Sequence, residues 1–122
     1  MKSKKSDCYN TPNWIKDLFK DFYDPCPISN GELRSNDGLG DWKDKTFVNP
    51  PYSNPLPWVL KAIEENKKGK TILLLLKCDP STKVYRLLHE NNAHILLFNE
   101  RIKFNGKTPN FPSMLAILYK HI

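Results

Sequence analysis

A nearly continuous apolar run from Thr71 to Cys78 places the strongest constraint on how this chain folds. A strand with one face in water alternates apolar and polar residues, whereas an unbroken run is typical of a strand buried on both faces. Segments with apolar residues at helical spacing lie on either side of the run and begin at Asn54-Pro55 and Asp79-Pro80. Because helices must cover both faces of such a strand, the chain is predicted to form an α/β domain with a mostly parallel sheet.

Two further helix boundaries are predicted from capping patterns. An N-terminal helix is predicted to begin with Thr11 as its N-cap and Pro12 at its first position. Its apolar face consists of the residues that follow at helical spacing: Trp14, Ile15, Leu18, Phe19 and Phe22. The helix that follows Asn54-Pro55 is predicted to end at Gly69.

The remaining strands are predicted from short apolar or alternating segments. Thr46–Asn49 is predicted to be a short strand, and Ala93–Phe98 is predicted to be another buried strand. Arg101–Phe104 and Met114–Tyr119 are predicted to pair as a C-terminal antiparallel hairpin.

Length and charge indicate one domain and a basic surface. The 122 residues fit a single domain, predicted at 10–122 after a flexible basic tail at 1–9. The 19 Lys and Arg against 13 Asp and Glu give a formal charge of +6. A basic chain favours a polyanionic partner through phosphate contacts, although solubility alone is an alternative reason for the charge.

Cysteines, histidines and apolar segments argue against several other classes of protein. The three cysteines are far apart with no C-x-x-C pair, and the histidines have no metal-ligand spacing, so neither a disulfide framework nor a metal site is predicted. The longest apolar run, Ile72–Leu76, is too short to span a bilayer. The basic N-terminus lacks the apolar run of a secretory signal, so we expect a reduced, cytoplasmic protein.

The tetrad Asn49-Pro50-Pro51-Tyr52 carries the clearest chemical signal. Two successive prolines donate no backbone hydrogen bond and hold φ at about −65°, so the preceding strand must stop and turn outward. An amide side chain, proline carbonyls and a tyrosine ring remain, and this set suits a flat amino group held at its edge and stacked on its face. Ligands of α/β sheets bind beyond the carboxyl ends of strands, which is where the tetrad lies. The alternative is a proline-rich turn with a surface tyrosine.

Several segments, in the same order along the chain, resemble the phage-type DNA N6-adenine methyltransferases of the Dam group. The tetrad resembles their catalytic motif, and the chain resembles a short version of the family. The other matching segments are Asn10-Thr11-Pro12, Asp24-Pro25-Cys26, Asp37-Gly38-Leu39 with Trp42, Trp58 with Lys61-Ala62, Arg101–Phe104 and Phe111-Pro112-Ser113. The resemblance implies a compact Rossmann-like fold that binds S-adenosylmethionine (SAM). It also implies transfer of a methyl group to N6 of adenine in DNA.

The resemblance assigns five residues to the cofactor. Thr11 and Pro12 would lie beside the methionine end of SAM. Asp24 and Cys26 would belong to the first cofactor motif, and Asp37 would lie near the adenine or ribose of SAM. From the residues alone, Asp24 can equally end a strand, and Asp37 can belong to an ordinary turn.

The resemblance also assigns residues to the target base and its strand. The catalytic residues would be Asn49, Pro50, Pro51 and Tyr52, and further substrate contacts would come from Ser53, Trp58, Arg101 and Lys103. The alternative for Trp58 is a place in the core, and the alternative for Arg101 and Lys103 is a solvated face.

Two other functions remain open at the level of sequence. One is methylation of a different planar nitrogen, in RNA or on a protein glutamine, since glutamine methyltransferases share the tetrad. The other is a reduced, viral-type nucleic-acid-binding protein that has lost SAM turnover, because Pro27–Gly31 replaces the usual glycine-rich turn of the first motif. A single domain with no separate DNA-reading domain is also compatible with a homodimer.

Overall fold

The computed structural model describes residues 11–25, 28–29, 32–33, 39–51, 54–103 and 111–120. Their elements, in chain order, are α1 (Asn13–Leu18), β1 (Ile28–Ser29), β2 (Glu32–Leu33), β3 (Lys45–Val48), α2 (Leu56–Lys67), β4 (Thr71–Lys77), α3 (Lys83–Glu90), β5 (His94–Leu97) and β6 (Ser113–Leu118). β1 and β2 form a separate antiparallel pair. Within these residues no helix is both long and apolar enough to cross a membrane.

The main sheet has four strands in the order β3-β4-β6-β5. β3 pairs with β4 in parallel, whereas β6 is antiparallel to both of its neighbours. The fold is therefore α/β as predicted, but the prediction of a mostly parallel sheet is wrong. β3, β4 and β5 run in one direction, and β6 lies between two of them in the opposite direction, so most of the pairings become antiparallel.

Helices and aromatic residues cover the two faces of the sheet. α2 and α3 pack on the face that carries Val48, Leu74 and Ala116. Ile15 of α1 packs on the opposite face, together with phenylalanines that follow the helix. In β4, every residue from Ile72 to Leu76 is buried. The prediction that this run is a strand buried on both faces is confirmed.

β5 differs from its prediction as a buried strand. Among the described strands it pairs only with β6, so it lies at an edge of the sheet, and Leu97 is 69% exposed. β5 itself is the partner of β6 in the C-terminal antiparallel pair, with Ile95 opposite Ala116. Residues 101–103 are not in a strand, so the predicted pairing of that segment with β6 is wrong there. Its alternating pattern arises because Ile102 is buried in the core while its neighbours are exposed.

The capping patterns predict the end of α2 correctly, but they do not predict the starts of α1 and α3. α1 begins after Pro12 without a side-chain cap, so Thr11 is not an N-cap. α3 begins later than Asp79-Pro80, and the Thr82 hydroxyl caps it by accepting a hydrogen bond from the Tyr85 N–H at 3.3 Å. Gly69 lies just beyond α2 with φ of +98°, which confirms the predicted end of that helix.

A buried carboxylate joins α2 to the segments before β3 and β4. Glu65 Oε1 accepts hydrogen bonds from the Trp42 N–H at 3.0 Å and from Lys70 Nζ at 2.7 Å. Lys68 Nζ and Lys61 Nζ lie 2.9 Å and 3.6 Å from Oε2. Burial opposes ionisation, but the hydrogen bonds and lysine charges outweigh it and lower the pKa of Glu65 from 4.5 to about 2. The carboxylate is therefore charged at neutral pH and acts as a structural anchor.

Candidate active site

Two neighbouring segments run to the same edge of the sheet. Tyr23 forms a parallel bridge with Thr46 of β3. The Tyr23 N–H donates to the Lys45 carbonyl at 2.9 Å, and the Phe47 N–H donates to the Tyr23 carbonyl at 2.8 Å. The chain after Tyr23 therefore runs beside β3 in the same direction. It carries the exposed Asp24 toward the edge at which β3 ends.

Asn49 is held at this edge by a contact from the N-terminal segment. Its side chain is buried, and its Nδ2 donates a hydrogen bond to Thr11 Oγ1 at 3.1 Å. Thr11 is also buried, so the contact lies inside the protein. Pro12 holds the N-cap position of α1, and the Thr11 hydroxyl serves this contact with Asn49. The contact joins a predicted catalytic residue to a predicted cofactor residue 38 positions away in the sequence.

The two prolines after Asn49 are buried as well, and they carry the chain away from β3. Pro12 is buried beside Thr11. Four of the predicted site residues lie outside the described part of the chain: Cys26, Asp37, Tyr52 and Ser53.

Trp58 lies in the hydrophobic core. It is 8% exposed on α2 and belongs to the hydrophobic cluster between α2 and the sheet. Its position agrees with the alternative reading of this residue as part of the core.

Arg101 and Lys103 lie farther along the same edge, after β5. Both are exposed, and they line a cavity of about 490 Å³ together with Trp14 and Phe98. We call this space the aromatic–basic cavity; it is lined by Trp14 and residues 98–103. The structure therefore separates the predicted site into a part at β3 and a part at β5.

Trp14 lies at the surface, which its sequence pattern does not predict. Helical spacing places it on the apolar face of α1, yet it is 53% exposed. α1 has only six residues, and Ile15 is the one it buries. A helix this short covers little of the sheet, and the sequence carries no signal of its length, because the helical spacing of apolar residues continues to Phe22.

Additional basic residues lie at the carboxyl end of β4. Lys77 and Lys83 line a second cavity of about 270 Å³, between the starts of α2 and α3. Asp79 lines it too, and hydrogen bonds from the Ser81 side chain and N–H lower the pKa of its carboxyl group. Lys77 Nζ also lies 5.7 Å from the ring centroid of Phe111. The edge that carries Asn49 thus continues with further basic side chains and with the acidic Asp79.

Comparison with known proteins identifies the family. The family model of the DNA N-6-adenine-methyltransferases (Dam) matches residues 33–114. A DNA N-6-adenine-methyltransferase of Haemophilus phage HP1 (strain HP1c1) is 32% identical, and the match covers 95% of this chain and 80% of the relative. No solved structure matches the chain significantly. The resemblance inferred from the motifs is confirmed, and the chain belongs to the DNA N-6-adenine-methyltransferase (Dam) family.

Proposed function

We propose that the chain transfers a methyl group from SAM to the N6 amino group of adenine in DNA, with Asn49 and Pro50 at the reacting centre. Family membership supports the reaction and its DNA substrate. The hydrogen bond between Asn49 and Thr11 supports the position of the site, because it joins the tetrad to the segment proposed for the cofactor.

The chemical task of Asn49 and Pro50 is to make a poor nucleophile reactive. The lone pair of the adenine amino group is delocalised into the ring. Hydrogen bonds from its two N–H groups to Asn49 Oδ1 and to the Pro50 carbonyl favour a more tetrahedral nitrogen, whose lone pair points at the methyl group. Positioning then supplies much of the rate.

Thr11 acts on this chemistry through Asn49. The Asn49 carboxamide donates through Nδ2 to the Thr11 hydroxyl. This hydrogen bond fixes the orientation of the amide plane and distinguishes the nitrogen end from the oxygen end. Asn49 is also buried, which restricts the rotation of its side chain. We infer that Thr11 is a positioning residue that keeps Oδ1 directed to the target amine.

The residues at this edge fit a methyl donor such as SAM. Thr11 and Pro12 would hold its methionine end, and Asp24 would hold it from the neighbouring segment, with Cys26 and Asp37 assigned to the same cofactor. The fit rests on the Thr11 hydroxyl, which lies 3.1 Å from Asn49 Nδ2 and therefore places this segment next to the proposed base pocket. When bound, SAM supplies an electrophilic methyl group.

The DNA must present its adenine outside the double helix. A base inside a duplex cannot reach a site at a sheet edge, so we propose that it flips out and stacks on Tyr52, with Ser53 beside it. Arg101 and Lys103, together with Lys77 and Lys83, are exposed or cavity-lining cations that suit phosphate contacts.

The direct test is to incubate the protein with labelled SAM in three parallel reactions, which contain DNA, RNA or a glutamine-containing protein. We expect label in DNA alone, recovered as N6-methyladenine after digestion to nucleosides. Label in RNA or on glutamine with none in DNA would contradict the proposed substrate. Failure to label any of the three, with a folded protein, would favour the binding protein that has lost turnover.

A further inference from the structure

Trp14 is a large aromatic side chain left in contact with solvent near the carboxyl edge of the sheet. It is 53% exposed, whereas the other two tryptophans, Trp42 and Trp58, are only 3% and 8% exposed. Its ring is nearly perpendicular to that of Phe98, with the centroids 6.2 Å apart. This contact supports the indole from one side while much of its surface remains open, which suits stacking on a planar partner.

The aromatic–basic cavity combines this indole with cations. Arg101 and Lys103 are exposed at the cavity, and the buried Ile102 lies between them in the sequence. Glu100 also lines the cavity, so two positive charges face one negative charge. Aromatic rings next to basic side chains are the combination by which proteins bind single nucleic-acid strands, through base stacking and phosphate contacts.

The cavity lies on the same edge as Asn49. The sheet order places β3 and β5 three strand spacings apart, which is about 14 Å. The N-terminal segment bridges them, because Thr11 contacts Asn49 and Trp14 contacts Phe98. A DNA strand advances about 3.4 Å per nucleotide, so a strand with one base at Asn49 reaches the cavity within about four nucleotides.

We propose that the aromatic–basic cavity binds an unpaired stretch of the DNA strand that flanks the target adenine, with one base stacked on Trp14 and the adjacent phosphates on Arg101 and Lys103. This inference rests on the proposed function, since it takes DNA as the substrate. The cavity then determines on which side of the target the strand is held and allows one small domain to grip several nucleotides.

The stacking contact is tested with two single strands of equal length, oligothymidylate and an abasic phosphodiester strand. We expect Trp14→Ala to weaken binding of oligothymidylate by about 5- to 150-fold, which is the worth of one base–aromatic stack. Binding of the abasic strand should change little, and Trp14→Phe should restore most of the affinity. Tyr119→Ala is the matched control, because Tyr119 is 52% exposed but lies beyond the opposite end of β6.

The phosphate contacts are tested by the salt dependence of the same binding reaction. Arg101→Gln and Lys103→Gln should each lower the slope of log affinity against log salt by about 0.7, the value for one phosphate contact with a single strand. Lys120→Gln removes an exposed lysine at the opposite edge and should leave the slope unchanged.

Tryptophan fluorescence of the parent protein reports on strand binding at Trp14 and does not depend on the stability of Trp14→Ala. Because Trp42 and Trp58 are buried, quenching of the parent protein by oligothymidylate should come from Trp14 and should disappear in Trp14→Phe. Quenching that persists in Trp14→Phe would overturn the proposal. So would a fluorescence change that follows protein concentration without DNA, since a second copy of the chain would then cover Trp14.

The outcomes separate this inference from the proposed function. Equal weakening of both strands by Trp14→Ala, or no weakening of either, would overturn the stacking contact even if the parent protein methylates DNA. A parent protein that binds oligothymidylate through Trp14 but transfers no methyl group would retain the strand-binding cavity and contradict the proposed function.

Discussion

At the scale of single residues, two buried polar side chains have different roles. A buried polar group destabilises a fold unless it finds partners, and both Asn49 and Glu65 have them. Asn49 bonds to Thr11 at the edge where the proposed substrates meet. Glu65 lies near the C-terminal end of α2 and bonds to lysines and to the Trp42 backbone. The first is proposed to position a reacting group, and the second holds segments of the fold together.

Replacing Asn49 by alanine should reduce the rate of methyl transfer by about 100-fold or more, because a preorganised hydrogen bond to the reacting group is lost. The free energy of unfolding should also fall by about 1 kcal/mol, since the bond to Thr11 is lost as well. Rates with labelled SAM and denaturant unfolding measure the two effects. Asn49→Ala with the parent rate would remove Asn49 from the mechanism.

Thr11→Val tests whether Thr11 positions the Asn49 side chain for methyl transfer or only stabilises the fold. It keeps the Asn49 carbonyl but removes the hydroxyl that holds the carboxamide, so we expect a lower rate of methyl transfer. Thr71→Val is the matched control, because the Thr71 hydroxyl accepts a hydrogen bond from the Lys120 N–H at 3.2 Å, at the opposite edge of the sheet. A parent-like rate in Thr11→Val would show that Asn49 is oriented without this bond.

Glu65 should make the stability of the protein depend on acidity. Its pKa is lowered from 4.5 to about 2 in the folded protein. Its contribution is therefore fully present above about pH 4.5 and lost as the pH falls toward 2, amounting to at most about 3 kcal/mol.

Denaturant unfolding between pH 2 and 7 measures this contribution. Glu65→Gln should be less stable than the parent at neutral pH and should show a flatter pH dependence. Glu64→Gln is the control, because the Glu64 side chain is 63% exposed and its surface ion pair with Lys68 contributes at most about 1 kcal/mol. An unchanged pH dependence in Glu65→Gln would contradict the anchoring role.

At the scale of elements, the end of α2 connects the helix to the sheet. The Gly69 N–H donates to the Asn66 carbonyl at 2.9 Å. Asn66 Nδ2 donates to the carbonyls of Lys70 and Tyr119 at 2.8 Å and 2.7 Å. The helix end is therefore tied to the start of β4 and to the end of β6. The position of α2 on the sheet depends on the turn at Gly69.

Gly69→Ala should lower the free energy of unfolding by about 1–2 kcal/mol, because φ of +98° is unfavourable for a residue with a Cβ. An added Cβ would meet no atom within 4 Å, so backbone strain alone accounts for the loss. Gly69→Asn should lose less, since asparagine tolerates positive φ better. Denaturant midpoints compare the three proteins, and equal stability of the alanine variant would show that the turn relaxes without cost.

At the scale of the whole molecule, part of the positive charge lies where the proposed substrate binds. The chain carries a formal charge of +6. Lys77, Lys83, Arg101 and Lys103 lie along the carboxyl edge, at or near the cavities described there. Phosphate contacts of this kind are independent of base sequence.

DNA binding should therefore weaken steeply with salt and discriminate little between sequences. Four phosphate contacts predict a slope of about −3 to −4 in log affinity against log salt for duplex DNA. Several unrelated oligonucleotides at two salt concentrations test this expectation. Strong sequence discrimination that survives high salt would show that the chain reads base edges directly.

Sequence alone determined the features that depend on local chemistry. The apolar run at Thr71–Lys77 had to be buried on both faces, and Gly69 was the residue suited to end a helix with positive φ. The tetrad at Asn49 marked a strand end because two prolines cannot continue a ladder. With the order of the other motifs, it also indicated the family that the comparisons confirm.

Tertiary structure decided the features that depend on contacts between distant residues. β6 lies between β4 and β5, and this insertion leaves β5 at an edge, although its own apolar pattern resembles that of a buried strand. Thr11 is a residue type suited to cap a helix, but in the folded chain its hydroxyl accepts a hydrogen bond from a side chain 38 residues away. Helical spacing likewise does not reveal how little of the sheet a six-residue helix covers, which is why Trp14 remains exposed. Local patterns describe which residues avoid water, but strand order and long-range hydrogen bonds arise only when the segments pack together.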